Sequence, residues 1–291
     1  MFEGIYVAIP TPFKEGKVDQ EALRKHIKFL IENGVDGIVP CGTTGESATL
    51  SYEEHEEVIA ITIEEAKGKV KVIAGTGSNS TSEAIMLTEF AYKAGADGAL
   101  LITPYYNKPN QEGLYLHFKA VAEAVPIPIV LYNVPSRTGV NMLPETVARL
   151  AEIDNIVAIK EATGSTNVAT EIVNLCGDKI EILSGDDLTF FPLLTVGAKG
   201  VISVTANVVP ERVVKMYREF LNGNWKEASR IHRELYNLSK VLFIDTNPIP
   251  VKTALSMMGM MEKEFRLPLC PTTPEKEEVI QKTLKEYGVI Q

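Results

Sequence analysis

Short apolar runs alternate with segments of helical period from residue 4 to about residue 222, and this alternation constrains the fold more than any single motif. Short apolar runs that end in turn residues are typical of strands buried on both faces of a parallel sheet. Strands are predicted over Gly4–Pro10, Gly37–Gly42, Val70–Gly75, Gly98–Thr103, Ile127–Asn133, Ile156–Lys160, Ile180–Gly185 and Gly200–Val204. Eight strand–helix units in this length predict an α/β fold, the (β/α)8 TIM barrel.

The strand signal stops after Asn222, where three helical segments follow. They cover Trp225–Ile244, Pro248–Met261 and Pro274–Tyr287. We therefore predict a barrel over residues 1–222 that carries the active site and a C-terminal helical domain over residues 223–291.

An open doubly wound sheet is the alternative fold. It is disfavoured because the stretch from Gly75 to Ser80 lacks the third glycine of a dinucleotide-binding loop. Within the helical segments, Ser51 with Glu54 three residues later predicts a capping box at the start of a helix over residues 51–66.

Composition narrows the class of protein. The 291 residues carry a net charge of −9, which argues against nucleic acid as a general partner. Three cysteines without a CxxC pair favour a reducing cytoplasm. The first residues have no basic and apolar signal pattern, and no apolar run approaches the roughly 18 residues of a membrane span. We expect a cytoplasmic protein.

Neither a metal site nor a cofactor is expected. The four histidines are scattered and form no HExxH motif. The stretch Gly164-Ser165-Thr166 suggests a phosphate-binding turn, but no phosphate-loop pattern accompanies it. A helix N-cap at Ser165 or Thr166 explains it equally well.

Lys160 is unusual because it ends an apolar strand. Lysine is almost never fully buried without a reason, and burial disfavours its ammonium form. A neutral buried lysine is a nucleophilic amine that can form a Schiff base with a carbonyl. The alternative is a strand-end lysine that points to solvent or pairs with Glu161.

Polar residues collect after the other predicted strands. The active face of a barrel lies at the C-terminal ends of its strands. The glycine- and hydroxyl-rich stretch Gly42–Ser47 suits a small anion such as a carboxylate, although a tight loop with a helix cap is an equal alternative. Tyr106, Tyr132 and Arg137 follow other strands. With Lys160, they supply the amine, proton shuttle and carboxylate anchor that imine chemistry needs.

Six motifs, in order along nearly the whole chain, resemble the dihydrodipicolinate synthase family, which belongs with the N-acetylneuraminate lyases among the class I aldolases. The motifs are Gly42–Ser47, Thr103–Asn107, Tyr132–Gly139, Ile159–Gly164, Leu183–Asp187 and Asn247–Lys252. The resemblance implies a cofactor-free enzyme. Pyruvate would condense with L-aspartate 4-semialdehyde to give 4-hydroxy-tetrahydrodipicolinate in lysine (diaminopimelate) biosynthesis.

The resemblance also implies roles for individual residues. Lys160 would form the imine with pyruvate, and Tyr132 would shuttle protons through the Thr43 hydroxyl to Tyr106. In the family, that last tyrosine comes from a neighbouring subunit. The resemblance therefore implies a homo-oligomer, which we expect to be a tetramer built from dimers.

Substrate binding is assigned in the same way. The backbone amides of Thr43 and Thr44 would hold the carboxylate of pyruvate. Arg137 would receive the carboxylate of the second substrate, which its planar fork suits. Gly185 and Ile202 would line the pyruvate pocket through their backbone.

The family resemblance further implies feedback inhibition by L-lysine at a subunit interface. The corresponding positions are Ser47, Ala48, His55, Gly77, Asn79, Glu83 and Tyr105. Tyr52 departs from the second histidine that lysine-sensitive members often carry. The alternative is that His55 and Glu83 are solvated helix residues.

Two other functions share part of this residue set. A sibling aldolase, such as N-acetylneuraminate lyase or a keto-deoxy-sugar-acid aldolase, would also use Lys160 and Tyr132. Thr43, Thr44 and Arg137 favour the synthase. A non-catalytic pyruvate-binding protein on the same barrel is disfavoured because the catalytic set is intact.

Overall fold

The computed structural model describes residues 1–291, and its central feature is a closed barrel of eight parallel strands that follow one another in chain order. The strands are Gly4–Ala8 (β1), Gly37–Val39 (β2), Lys71–Gly75 (β3), Gly98–Ile102 (β4), Ile129–Asn133 (β5), Ile156–Glu161 (β6), Glu181–Ser184 (β7) and Gly200–Ser203 (β8). The predicted (β/α)8 barrel is confirmed, and the open doubly wound sheet is wrong.

Helices connect the strands and continue beyond them to the C-terminus. They cover Gln20–Glu32, Tyr52–Ala66, Thr81–Ala94, Gln111–Ala124, Pro135–Thr138, Pro144–Leu150, Thr166–Cys176, Phe190–Thr195, Pro210–Leu221, Trp225–Val241, Ile249–Met257 and Pro274–Glu286. The predicted C-terminal helical extension is confirmed. None of these helices has both the length and the apolar character that crossing a membrane requires.

Apolar periodicity explains why these segments form these elements. Every residue of β1 and β5 is buried, as expected for strands that are covered on both faces. The helix Gln20–Glu32 buries an apolar stripe that includes Leu23, Ile27 and Leu30, at the spacing of one helical face.

Predicted and observed ends differ where backbone chemistry intervenes. The strand predicted over Gly37–Gly42 stops at Val39, because Pro40 has no N–H to donate and Cys41 adopts a positive φ of 55°. A short antiparallel hairpin between Phe13–Lys14 and Lys17–Val18 was not predicted. Its two-residue strands are too short to show an apolar period.

One compact unit consists of residues 1–4 and 71–202. It contains β3 to β7 with the helices between them. Leu101, Phe118, Leu131, Ile159 and Ile172 are fully buried in its apolar core. This unit carries Lys160 and Tyr132.

The second compact unit consists of residues 5–70 and 203–291, so it combines the N-terminal and C-terminal parts of the chain. Within it, Arg266 donates to both carboxylate oxygens of Glu54 and to the carbonyls of Thr49 and Gly16. The domain boundary placed at residue 222 stays a prediction.

The helix Tyr52–Ala66 begins with the predicted capping box. The Ser51 hydroxyl accepts from the Glu54 N–H at 3.2 Å, and the Glu54 carboxylate accepts from the Ser51 N–H at 3.0 Å. We expect Ser51→Ala to lower the free energy of unfolding by about 1 kcal/mol, because it removes one partner of an N–H at the helix start.

Thermal and urea unfolding measure this effect, and Ser80 provides the matched control. It occupies the N-cap of the helix Thr81–Ala94 without a side-chain cap hydrogen bond. Ser80→Ala should therefore leave the midpoint nearly unchanged. Equal losses in both variants would contradict the capping role of Ser51.

Candidate active site

Lys160 and Tyr132 stand side by side at the C-terminal ends of β6 and β5. The two strands pair in register, with Tyr132 opposite Lys160. The Lys160 Nζ lies 4.2 Å from the centroid of the Tyr132 ring, and both residues are 6% exposed. Because a lysine and a phenol meet in a dry environment, an amine nucleophile and a proton donor are available at one place.

A second buried lysine provides a comparison. Lys252 is fully buried, and its Nζ lies 2.5 Å from the Glu46 carboxylate. Burial lowers the pKa of Lys252, and the Glu46 carboxylate opposes that effect by stabilising the ammonium form. Lys160 makes no ion pair, neither with the adjacent Glu161 nor with any other carboxylate. Of the two buried lysines, Lys160 is the one that lacks a fixed counter-charge.

Gly185 and Ile202 lie at or next to the ends of the following strands. Gly185 comes directly after β7, and a Cβ at this position would lie 2.5 Å from the Ala162 Cβ. Glycine is therefore required for the close approach of the two loops. Ile202 lies in β8 and is buried.

Arg137 lies on a short helix that follows β5. It lines an open depression together with Tyr105, Tyr106, Lys108, Pro135, Ser136, Thr138 and Gly139. Arg137 and Lys108 give this depression two cationic side chains. A dicarboxylate or an amino-acid carboxylate is the chemistry that such a surface attracts.

The stretch Gly42–Ser47 forms a compact turn after β2. The N–H groups of Gly45, Glu46 and Ser47 close the turn on the carbonyls of Gly42 and Thr43. The N–H groups of Thr43 and Thr44 take no part in these hydrogen bonds. Two successive amides of this kind can hold a carboxylate, as the sequence predicts.

Residues of the C-terminal segment support this turn. The Glu46 backbone is left-handed, with a φ of 53°, and its carboxylate accepts from Lys252 and from the Arg266 N–H. The Asn247 amide donates to the Thr44 hydroxyl at 3.0 Å. These contacts fix the shape of the turn from three positions of the C-terminal segment.

The positions named for an L-lysine site occupy both compact units. Gly77, Asn79, Glu83 and Tyr105 belong to the unit with β3 and β4. There the Asn79 amide donates to the Tyr105 carbonyl at 3.2 Å, and the Glu83 carboxylate accepts from the Ser78 hydroxyl at 2.7 Å.

Ser47, Ala48 and His55 belong to the other compact unit. His55 is buried rather than solvated, and its carbonyl accepts from the Cys41 thiol. The alternative of a solvated helix residue is therefore wrong for His55. Glu83 is only partly exposed.

Comparison with known proteins decides the family. The family model described as the dihydrodipicolinate synthetase family matches residues 1–287. A 4-hydroxy-tetrahydrodipicolinate synthase of Geotalea uraniireducens is 60% identical over 290 residues and covers all of both chains. The chain belongs to the dihydrodipicolinate synthetase family.

Solved structures agree with this family assignment. The dihydrodipicolinate synthase of Aquifex aeolicus is 54% identical, with a TM-score of 0.98 over 99% of both chains. A lysine-bound enzyme from Cyanidioschyzon merolae is 41% identical, with a TM-score of 0.97 over 99% of both chains. Another solved relative, 45% identical, is described as a monomeric variant and has a TM-score of 0.97 over 99% of this chain and 98% of its own.

Family membership confirms the enzyme class predicted from the sequence. The curated relatives are named 4-hydroxy-tetrahydrodipicolinate synthases, so the predicted synthase activity is confirmed. The sibling aldolases and the non-catalytic pyruvate-binding protein receive no support from these relatives.

Several residues around the family site were not assigned a role by sequence reasoning. Lys108 lies next to Gly139, where an added Cβ would meet its side chain at 2.8 Å. Glu46 and Lys252 occur in motifs that carry the resemblance, but their pairing was not foreseen because 206 positions separate them. Asn133 was visible only as a strand end, and Glu161 only as an alternative ion-pair partner of Lys160.

We expect Glu46→Ala to destabilise the enzyme by about 3–5 kcal/mol, because it leaves the Lys252 ammonium buried without its carboxylate. The KM for pyruvate should also rise, since Glu46 follows Thr43 and Thr44 in the same turn. Unfolding midpoints and steady-state kinetics measure the two effects.

The exposed pair between Glu227 and Arg230 is the control, and Glu227→Ala should cost less than about 1 kcal/mol. The double variant Glu46→Gln/Lys252→Met carries neither charge and should regain much of the lost stability. A double variant as unstable as Glu46→Ala would show that the ion pair is not the cause.

Proposed function

We propose that Lys160 is the residue that forms the imine with pyruvate in the condensation with L-aspartate 4-semialdehyde. The observation that carries this proposal is its burial beside Tyr132 without an ion pair. Lys252, the other buried lysine, is held in an ion pair by Glu46 and has no such free position beside a phenol.

The chemistry follows from the electron demand of an imine. The neutral Lys160 amine adds to the pyruvate carbonyl carbon, and water leaves as the C=N bond forms. The imine withdraws electrons, so the pyruvate methyl group loses a proton and becomes the enamine carbon. That carbon attacks the aldehyde carbon of the second substrate, and the aldehyde oxygen takes up a proton. The amino group of the second substrate then attacks the imine carbon, which closes the ring and releases the Lys160 amine. Tyr132, with a phenol that can donate and accept, is a proton carrier beside Lys160.

The proton relay and the carboxylate anchors complete the proposal. Thr43 carries protons between Tyr132 and Tyr106, and the amides of Thr43 and Thr44 hold the pyruvate carboxylate. The backbone of Gly185 and Ile202 lines the pyruvate pocket. Support comes from the matching family motifs and from the turn hydrogen bonds that leave the two threonine amides out.

Arg137 is proposed to bind the carboxylate of L-aspartate 4-semialdehyde. Its exposed side chain lines the same depression as Lys108, so two cations face an incoming anion. A guanidinium can bind a carboxylate through two parallel hydrogen bonds, which orients the aldehyde as well as attracting it.

A homo-oligomer, specifically a tetramer built from dimers, is part of the proposal. Tyr106 is 90% exposed and has a positive φ of 72°, an unusual state for a large aromatic side chain. A neighbouring subunit that receives this ring would account for both features. The cytoplasmic location stays a prediction.

The imine assignment predicts the result of borohydride reduction with pyruvate. The parent enzyme should gain the mass of one reduced pyruvate adduct per chain, and peptide mapping should place it on Lys160. Lys160→Ala should lose the adduct, and Lys160→Arg should not restore activity because a guanidinium stays protonated.

Lys252 serves as the internal control in the same peptide map, since it is the other buried lysine and is held by Glu46. An adduct on Lys252, or an undiminished adduct in Lys160→Ala, would overturn the assignment. Retention of the adduct in Arg137→Ala would show that pyruvate binding does not need the second-substrate anchor.

Feedback inhibition by L-lysine is also proposed. A lysine-bound relative supports it, and so do the hydrogen bond from Asn79 to the Tyr105 carbonyl and the bond from the nearby Ser78 hydroxyl to Glu83. The Glu83 carboxylate suits an ammonium group, and the Asn79 amide and Tyr105 hydroxyl suit a carboxylate. Tyr105 directly precedes Tyr106, so ligand binding there can reach the proton relay.

Steady-state rates measured against L-lysine test this site. A coupling free energy of about 1–3 kcal/mol is usual, so the rate should fall several-fold at saturating lysine. Glu83→Thr should be insensitive while keeping its uninhibited rate. A parent enzyme unaffected by millimolar lysine, or equal inhibition of both proteins, would remove the site without affecting the assignment of Lys160.

A further inference from the structure

Glu161 is a buried carboxylate directly after Lys160. It is 1% exposed, and its partners are neutral: the Thr163 N–H at 2.6 Å and the Asn133 side-chain amide at 3.0 Å. Successive residues of a strand point to opposite faces, so Glu161 lies on the face opposite to Lys160. It therefore does not act as the counter-ion of the lysine.

Asn133 lies on the face of β5 opposite to Tyr132, as Glu161 does relative to Lys160. It follows Tyr132 in β5, is fully buried and pairs in register with Glu161. Its amide donates to Glu161 and to the Asn141 side-chain oxygen, and its own oxygen accepts from the Met142 N–H at 3.0 Å. The Met142 contact fixes which end of the carboxamide faces Glu161.

The hydrogen bonds of this pair extend to the segment that carries Arg137. Residues 134–142 leave β5, pass through the short helix with Arg137 and return to Asn133 through Asn141 and Met142. The pair of Asn133 and Glu161 thus joins two strand ends and both ends of one loop.

An apolar pair would be the ordinary choice at these positions. On the same faces of the two strands, Leu131 and Ile159 are fully buried in the apolar core. A carboxylate buried there loses its hydration, a free-energy cost that apolar side chains avoid. A strand pair does not need a carboxylate to hold its register, so this charge has another use.

We propose that Glu161 and Asn133 are positioning residues for the condensation. They hold the backbone one residue beyond Lys160 and Tyr132, and they anchor the loop of Arg137. Neither touches a substrate. The inference rests on the proposed roles of Lys160, Tyr132 and Arg137. It adds the contacts that keep their amine, phenol and guanidinium groups in one arrangement.

Reciprocal substitution tests the pair. Glu161→Gln places a donor against a donor, because the glutamine oxygen can accept from the Thr163 N–H or from the Asn133 amide and its NH2 group then faces the other. Asn133 cannot rotate to relieve this without losing the Met142 N–H. Asn133→Asp places two carboxylates against each other. Each should lower kcat/KM by about 100-fold, the scale of a misplacement of about 1 Å.

The double variant Asn133→Asp/Glu161→Gln restores complementarity, since the glutamine amide donates to the aspartate. One oxygen of the new aspartate still accepts from the Met142 N–H. The exposed Asn141 side chain can rotate so that its amide donates to the aspartate. This variant should recover most of the lost kcat/KM. Multiplicative losses in the double variant, or parent-like kinetics in both single variants, would overturn the proposal.

A matched control separates positioning from stability. Asn155 precedes β6 at its other end and donates to the carbonyls of Ala122, Val125 and Ile127. Asn155→Ala should lower the melting temperature and leave kcat and both KM values unchanged. If the kinetics of Asn155→Ala fall as far as those of Glu161→Gln, the effect is general destabilisation and the proposal fails.

Asn141→Ala provides a second test of the proposal in case Glu161→Gln or Asn133→Asp does not fold. Its side chain is exposed, and it loses only the loop contact of Asn133. The KM for the aldehyde should rise while the KM for pyruvate and borohydride trapping stay unchanged. Equal changes in both KM values would contradict the anchoring of the Arg137 loop. Trapping in Lys160→Ala tests the imine separately, so failure of one proposal is distinguishable from failure of the other.

Discussion

The parallel hydrogen-bonded register between β5 and β6 is the constraint on which the proposed chemistry depends. It places Tyr132 opposite Lys160 and Asn133 opposite Glu161. Side chains alternate along a strand, so a slip of one residue would exchange the lysine for a carboxylate on the barrel's inner face. Leu131 and Ile159, the residues before these positions, also pair in register, and both are fully buried in the apolar core.

Buried charge is concentrated where backbone shape matters to the site. Lys252 pairs with Glu46, a left-handed residue two positions after Thr44, and Glu161 joins two strand ends. A non-glycine residue with positive φ and a desolvated carboxylate are both unfavourable by themselves. Their presence beside Lys160 and the Thr43 turn indicates that the enzyme has given up stability for a defined geometry.

Local patterns allowed most of the fold to be predicted. Strand and helix periods are properties of neighbouring residues, and the Ser51 capping box needs only four positions. The main site residues could be named because they follow strands, and parallel strands bring their ends to one rim. The pairing of Glu46 with Lys252 could not be predicted, because it depends on tertiary packing. The exposure of Tyr106 also lay outside sequence reasoning, since nothing local distinguishes it from Tyr105.

The two lysines that are buried in this enzyme differ in when their surroundings can form during synthesis. Lys160 lies in the compact unit of residues 1–4 and 71–202, and all of these residues are synthesised before residue 203. Glu46 is made sooner still, yet its partner Lys252 follows 206 positions later. The ion pair that supports the turn of Thr43 and Thr44 therefore cannot form until Lys252 has been synthesised. The surroundings of the lysine that we propose forms the imine are therefore synthesised before the ion pair that supports the proposed carboxylate-binding turn can form.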